Sequence, residues 1–366
     1  MSVIRVVIAD DSVLARELLR SILESEEGIQ VVGEACNGRE AVELVHSLKP
    51  DILTIDLEMP VMGGMEAIEE IMASKAVPIL VVSSVADAHN ALEAVRRGAL
   101  DAVAKPDLDP VTTAGFVAKV RMLAQVRVIT HLRPRKALAE AVVPAATAAA
   151  VGTTATATVA TMVTNAPLSS TFQRIVAIAS STGGPQALAQ IFAQLPANFP
   201  FPIVIAQHIS DGFAGGMADW LGTLCRLPVR LGQEGESIQS GTIYLSPSER
   251  NMAVTPTRRL TLMPRGERDL YHPTCDVLLE SVAAVFGPMA IGVILTGMGH
   301  DGAAGMAAIR KAGGVTLGQD QSSSVIYGMN QIAIDNGAVE KVLPLAEIAG
   351  NLLRLTEQDG APKTAW

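Results

Sequence analysis

Cysteine is scarce in this chain. Its 366 residues hold three, Cys36, Cys225 and Cys275, far apart and with no C-x-x-C pair. Such spacing indicates neither a disulfide framework nor a zinc site. Positive charge is also in short supply: 28 Lys and Arg face 37 Asp and Glu, giving a net charge of −9 and a pI near 5.2. That balance speaks against nucleic acid or an anionic membrane surface as a partner. The N-terminus, MSVIRVVIADDS, has an apolar run too short for a signal peptide and ends in two acids. A soluble, cytoplasmic protein is expected.

One stretch lacks charge almost entirely. From Ala137 to Thr171 there are 12 Ala and 8 Thr among 35 residues, and Glu140 is the sole charge. Ala and Thr bury too little apolar area to build a core, so a flexible linker is expected over 133–172. Residues 145–164 also lack the Leu, Ile and Phe density and the flanking anchors that membrane insertion favours. The linker divides 1–132 from 173–366, the two domains that the length suggests.

The most informative stretch present is Ile175–Gln186, IVAIASSTGGPQ. An apolar run breaks into Ser-Ser-Thr, two glycines and Pro185, then a helical pattern begins. A strand turning sharply into a helix over Ser-x-Gly lifts a hydroxyl out at the sheet's carboxyl edge, with the first helical amides available to an anion. The positions two before and two after the nucleophile of such an elbow must be small. Ser181 has Ala179 and Gly183 there; Ser180 has Ile178 and Thr182. The register selects Ser181. The competing reading is a phosphate-binding or merely tight turn.

Residues 1–132 alternate strand-like runs (Ile4–Ala9, Gln30–Glu34, Ile52–Ile55, Ile79–Val82, Leu100–Ala104) with helical periods. This predicts a doubly wound parallel sheet of five strands, with any ligand beyond the strands' carboxyl ends. At those ends stand Asp10 and Asp11, Asp56, Ser83, and Lys105-Pro106. Three carboxylates at one edge repel each other unless a cation joins them, and hard oxygen ligands left partly open suit Mg²⁺. A lysine and a hydroxyl would neutralise and hydrogen-bond a phosphoryl group. Any one of these acids alone would read as a helix cap.

This set, together with LEMPVMGG after Asp56, resembles the two-component receiver domain over the whole of 1–132. The resemblance implies a flavodoxin-like fold with Asp56 as phospho-acceptor. It implies Mg²⁺ held by Asp10, Asp11, Asp56 and the Glu58 backbone carbonyl, and phosphoryl contacts from Ser83 and Lys105. Ala102 stands where receivers commonly carry an aromatic switch residue.

From Arg174 the β/α alternation returns, with strands expected at Ile175–Ala179, Ile203–Ala206, Ala290–Thr296 and Val315–Leu317. A second doubly wound, mostly parallel α/β domain follows, and turn-rich Gly232 to Gly266 reads as β-hairpins inserted in it. A serine nucleophile needs an imidazole in reach and a third group to orient it. His208 directly follows the strand PIVIAQ and so shares Ser181's edge, unlike His272 and His300 in loops. Asp301 follows the strand IGVILT. Its competitor, Asp276, opens a helix after Thr274 and reads as a first-turn acid favoured by the dipole. The candidate set is Ser181, His208 and Asp301.

A rival lies in the same turn, where Gly297, Gly299 and Gly302 spell G-x-G-x-x-G with Asp320 eighteen residues on. That is the outward form of a dinucleotide-binding fingerprint. Against it, Asp301 sets a carboxylate inside a loop meant for pyrophosphate, and Met298 is bulky where backbone must approach.

STGG at 181–184, QHISDGF at 207–213, LTGMGHDGAAGM at 295–306 and the Gln319–Met329 segment resemble the catalytic domain of chemotaxis protein-glutamate methylesterases. A receiver joined by a linker to this domain is that family's architecture. The resemblance implies hydrolysis of glutamyl γ-methyl esters on chemoreceptor cytoplasmic helices, with glutamine deamidation as a second activity. It places the family's catalytic residues on Ser181, His208 and Asp301, and active-site lining on Thr182 and Met298. It implies phosphorylation by a histidine kinase and no cofactor for the esterase step. A receiver-controlled binding module without catalysis is the alternative.

Overall fold

The computed structural model describes residues 3–128, 172–266 and 271–360. The Ala/Thr-rich stretch and the candidate span within it lie outside the described residues. Among the described residues no helix is long and apolar enough to cross a membrane.

The first domain alternates β1 (Ile4–Ala9), α1 (Val13–Glu24), β2 (Ile29–Ala35), α2 (Gly38–Leu48), β3 (Ile52–Ile55), α3 (Gly64–Ser74), β4 (Ile79–Ser83), α4 (Ala88–Arg96), β5 (Asp101–Ala104) and α5 (Pro110–Leu123). The sheet order is β2-β1-β3-β4-β5, and every pairing is parallel. All four residues of β3 and all five of β4 are buried, as expected of strands covered on both faces. Local signals set the helix starts: the side chain of Ser12 accepts from Ala15 N, and that of Asn37 from Glu40 N.

The second domain runs β6 (Ile175–Ser180), α6 (Gly184–Phe192), β7 (Ile203–Gln207), α7 (Phe213–Leu224), β8 (Val229–Leu231), β9 (Ile243–Leu245), β10 (Asn251–Val254), β11 (Leu260–Met263), α8 (Cys275–Phe286), β12 (Ala290–Ile294), α9 (Ala303–Lys311), β13 (Val315–Gln319), α10 (Met329–Asp335), β14 (Lys341–Leu343) and α11 (Leu345–Gly360). Seven strands pair in parallel in the order β14-β13-β12-β6-β7-β9-β8. Apolar residues of the two faces form separate clusters, one around Leu188, Trp220 and Ile348, the other around Leu279, Met306 and Tyr244.

The turn-rich Gly232–Gly266 stretch departs from expectation. It holds one hairpin, β10 with β11, while β9 leaves it to join the main sheet beside β7. Ile243, Tyr244 and Leu245 are all fully buried, so this short run needs cover on both faces and belongs in the parallel sheet.

The domains pack through α4 and α7. Leu92 of the first belongs to a core cluster of the second, and Phe213 of the second to a cluster of the first. A Cβ on Gly216 would come within 2.8 Å of Ala88 Cβ, so the glycine permits this close approach.

Candidate active site

β6 lies between β12 and β7, and the chain leaves it toward α6 at a point where the strand order reverses. Such a switch point in an open α/β sheet opens a crevice beyond the strands' carboxyl ends. Ser181 follows β6, His208 follows β7, and Asp301 lies in the turn between β12 and α9. The candidate triad therefore stands on three adjacent strands. Register brings the first two close, since Ser180 pairs with Gln207 and His208 N donates to Ser180 O at 2.9 Å.

The turn at Ser181 depends on two glycines. Gly183 sits at φ 79°, in the left-handed region, and a Cβ on Gly184 would come within 2.0 Å of Gln207 Oε1. Of the first helical amides, that of Gly184 is already spent, donating to Ser181 O at 2.7 Å. An incoming anion is left with amides elsewhere in the turn.

His208 Nε2 donates to Asp301 Oδ2 at 2.7 Å. The other imidazole nitrogen, Nδ1, is buried with no hydrogen-bond partner. No hydrogen bond joins Ser181 Oγ to His208 in this state. Asp301 is held at the start of α8, where Oδ2 accepts from Cys275 N at 2.6 Å and Oδ1 from Asp276 N at 2.9 Å. Burial pushes the Asp301 carboxyl up, but the His208 bond and these two amides outweigh it and leave it below the usual carboxylate range.

Asp276, the competitor for the orienting role, does lie in the first turn of α8, but it serves another helix. Its Oδ1 accepts from Gly302 N at 2.9 Å and Gly305 N at 2.7 Å, at the start of α9. Burial beside Asp301 raises its carboxyl to about 6. This also answers the dinucleotide reading: the helix N-terminus that would receive pyrophosphate is filled by the protein's own carboxylate.

Three neighbours take roles that nothing local in the sequence marks. Gln207 bridges the two strand ends: Nε2 donates to Ser181 O and His208 O, both at 2.8 Å, and Oε1 accepts from Ser180 Oγ at 2.6 Å. Tyr271 stacks on His208 with ring centroids 5.0 Å apart, 13° from parallel. Cys275 Sγ lies 3.3 Å from His208 Nε2. Burial and the Asp301 charge hold that thiol well above its ordinary pKa.

Thr182 is buried, and its hydroxyl reaches across the domain boundary to Asp101. Met298 is 46% exposed and lines a cavity of about 830 Å³ at that boundary, together with Arg121, Gln125, Ser323 and Tyr327.

In the first domain Asp10, Asp11 and Asp56 each offer a carboxylate oxygen within 4.8 Å of the others. Lys105 Nζ pairs with Asp56 Oδ2 at 2.7 Å and Asp10 Oδ2 at 2.8 Å. Burial, opposed by Lys105, raises the Asp56 carboxyl. Ser83 Oγ is buried without a partner beside this edge, an orphaned hydroxyl that a phosphoryl oxygen would satisfy. Glu58 lies in the turn after β3, its side chain exposed. A donor set of hard oxygens, one of them exposed, fits Mg²⁺.

Two family models match the chain: CheB methylesterase over residues 176–352, and the response regulator receiver domain over 6–114. A protein-glutamate methylesterase/protein-glutamine glutaminase of Paramagnetospirillum magneticum is 55% identical over 359 residues, 96% of each chain. The chain belongs to the CheB methylesterase family. A relative of the same name from Cupriavidus pinatubonensis is 38% identical over 96% of this chain and 97% of its own. The CheB methylesterase catalytic domain of Thermotoga maritima, a crystal structure, is 33% identical, with a TM-score of 0.49 over 50% of this chain and all of its own.

Proposed function

We propose that this CheB-family chain is a serine esterase that hydrolyses glutamate γ-methyl esters on chemoreceptor cytoplasmic helices, releasing methanol, and that it deamidates glutamine at the same sites. The observation that carries the reading is the convergence of Ser181, His208 and Asp301 beyond three adjacent strands, with His208 bound to Asp301 at 2.7 Å. Ser181 Oγ attacks the ester carbonyl while His208 takes its proton on Nδ1, the nitrogen left unpartnered. Asp301 holds the imidazole by its other nitrogen and stabilises the imidazolium. Backbone amides of the Ser181 turn steady the oxyanion. His208 returns the proton to the leaving methoxide, and water activated by the same base then hydrolyses the acyl-enzyme. Thr182 and Met298 line the substrate's approach.

The receiver regulates this site. Asp56 accepts a phosphoryl group from a histidine kinase, with Mg²⁺ held by Asp10, Asp11, Asp56 and the Glu58 carbonyl and the phosphoryl group met by Ser83 and Lys105. The metal, when bound, offsets the carboxylate repulsion that opposes an incoming anion. In the resting state the receiver docks over the Ser181 turn and blocks a receptor helix, and phosphorylation weakens that docking. Such substrates and partners place the protein in the cytoplasm. The test is methanol release from methylated receptor membranes by wild type and Ser181→Ala. No release by wild type would leave a binding module as the reading, and release that persists in the variant at the wild-type rate would remove Ser181 as the nucleophile.

A further inference from the structure

We infer that His208, Cys275 and Asp301 form an inhibitory site for a borderline or soft divalent cation such as Zn²⁺. The residues lie far apart in the chain and form no spaced motif, so only folding assembles them. One imidazole nitrogen of His208, the Cys275 sulfur and one carboxylate oxygen of Asp301 all lie within 4.8 Å of one another. This is a nitrogen, a sulfur and an oxygen donor converging on one point, the mixed set that zinc takes.

The spacing fits a metal with little movement. Nε2 is 2.7 Å from Oδ2 and 3.3 Å from Sγ; with zinc–ligand lengths of about 2.0 Å to N and O and 2.3 Å to S, these give angles of about 85° and 100°. Widening the Nε2–Oδ2 gap by about 0.6 Å and the Nε2–Sγ gap by about 0.2 Å brings both to tetrahedral. The carboxylate is already fixed by two amides, so one ligand is pre-oriented before any metal arrives. Mg²⁺ is disfavoured here because a thiolate and an imidazole are poor ligands for a hard ion. The site is therefore chemically distinct from the carboxylate cluster of the receiver.

The Cys275 S–H bond breaks, its proton goes to solvent, and a metal–sulfur bond forms. His208 remains neutral: Nε2 gives its proton to solvent and bonds the metal through its lone pair, and Nδ1 takes up a proton in exchange. That nitrogen is the one the proposed mechanism needs as proton acceptor. The bound cation thus disables the base without touching Ser181. One proton is released per metal, so binding tightens as pH rises.

The inference rests on the esterase reading only for its consequence, so two readouts separate them. The first is spectroscopic: full-length protein is titrated with Co²⁺, which reports thiolate ligation by a charge-transfer band. The band is expected in wild type and in Cys36→Ser, and absent in Cys275→Val and His208→Ala. A band of full strength in Cys275→Val overturns the site. The second is kinetic: methanol release is measured against Zn²⁺, each variant relative to its own zinc-free rate. Losing even an outer partner of a ligand costs 10–100-fold in metal affinity, so Cys275→Val should shift the inhibitory zinc concentration upward by about a hundredfold or more. Equal zinc sensitivity in wild type and Cys275→Val overturns the proposal. A metal-free protein that released no methanol would strike the esterase reading instead, and the cobalt band would still decide the site.

Discussion

Thr182 Oγ1 donates a hydrogen bond to Asp101 Oδ2 at 2.9 Å, tying the turn beside Ser181 to the first residue of β5 in the other domain. Lys119 Nζ holds the same oxygen at 2.8 Å. The bond is buried, and it engages a threonine that lines the candidate site. A hydrogen bond to a charged acceptor contributes roughly 1.5–3 kcal/mol, so losing it shifts a docking equilibrium by about tenfold or more. Asp101→Ala should therefore raise methanol release without phosphodonor by about that factor, as far as docking limits it. An unchanged resting rate would show that this contact does not hold the domains together.

Ser181 and its neighbour should separate cleanly. Ser181→Ala removes the proposed nucleophile and should cost on the order of 10⁴-fold in turnover with the fold intact. Ser180 Oγ instead donates to buried Gln207 Oε1 at 2.6 Å, so Ser180→Ala leaves an acceptor unsatisfied. Its cost should appear as roughly 1–3 kcal/mol of stability, with a far smaller effect on turnover. Denaturant titration and methanol release on both variants check the ranking.

The two acids at the start of α8 and α9 should respond to pH with opposite sign. Asp301 lies below its ordinary range, so its stabilisation is present above that range and lost as pH falls through the lowered value. Asp276 is raised to about 6, so the folded state loses stability as pH rises from the ordinary carboxylate range through about 6. Asp276→Asn keeps an acceptor for the Gly302 and Gly305 amides and cannot ionise. Its melting temperature should match wild type in acid and exceed it above about pH 6. A constant offset across that range would contradict the assignment. Asp301→Asn, by contrast, should lower turnover strongly with little change in KM, because orientation of His208 acts in the transition state.

Asp56 should take phosphate from acetyl phosphate only with Mg²⁺ present, since the clustered carboxylates otherwise repel the donor. Chelation should abolish incorporation, and Asp56→Asn should show none. Incorporation into that variant at the wild-type level would move the acceptor elsewhere.

Ala102 is buried in a cluster to which Phe213 of the hydrolase domain also belongs. Adding a phenyl ring there overpacks a filled core. Ala102→Phe should weaken docking and raise the resting rate, so the ratio of phosphorylated to resting activity should fall. A higher ratio with an unchanged resting rate would instead show a restored aromatic switch.

The legible parts of this molecule share one signature, a buried apolar run ended by a polar residue. Asp10, Asp56, Ser181 and His208 each stand at such a break, and parallel sheets present that edge to a ligand. Contacts between distant segments leave no such trace. Asp101 and Thr182 are 81 residues apart, and nothing local in either marks the other. Gln207 reads as the polar end of a strand, yet its amide ties the Ser181 turn to His208. Tyr271 and Cys275 flank a loop and a helix start, and only packing sets them against His208. The three-residue strands β8, β9 and β14 are too short for a period to emerge; β9 shows itself by burial alone.

The central claim, a Ser181 esterase held at rest by its own docked receiver, is met most directly by comparing rates of methanol release. Fragment 173–366 is set against the whole chain on the same methylated receptor membranes, each with and without acetyl phosphate and Mg²⁺. The account predicts that the bare fragment outpaces the resting whole chain and that phosphodonor raises only the whole chain. A fragment no faster than the resting protein would contradict it.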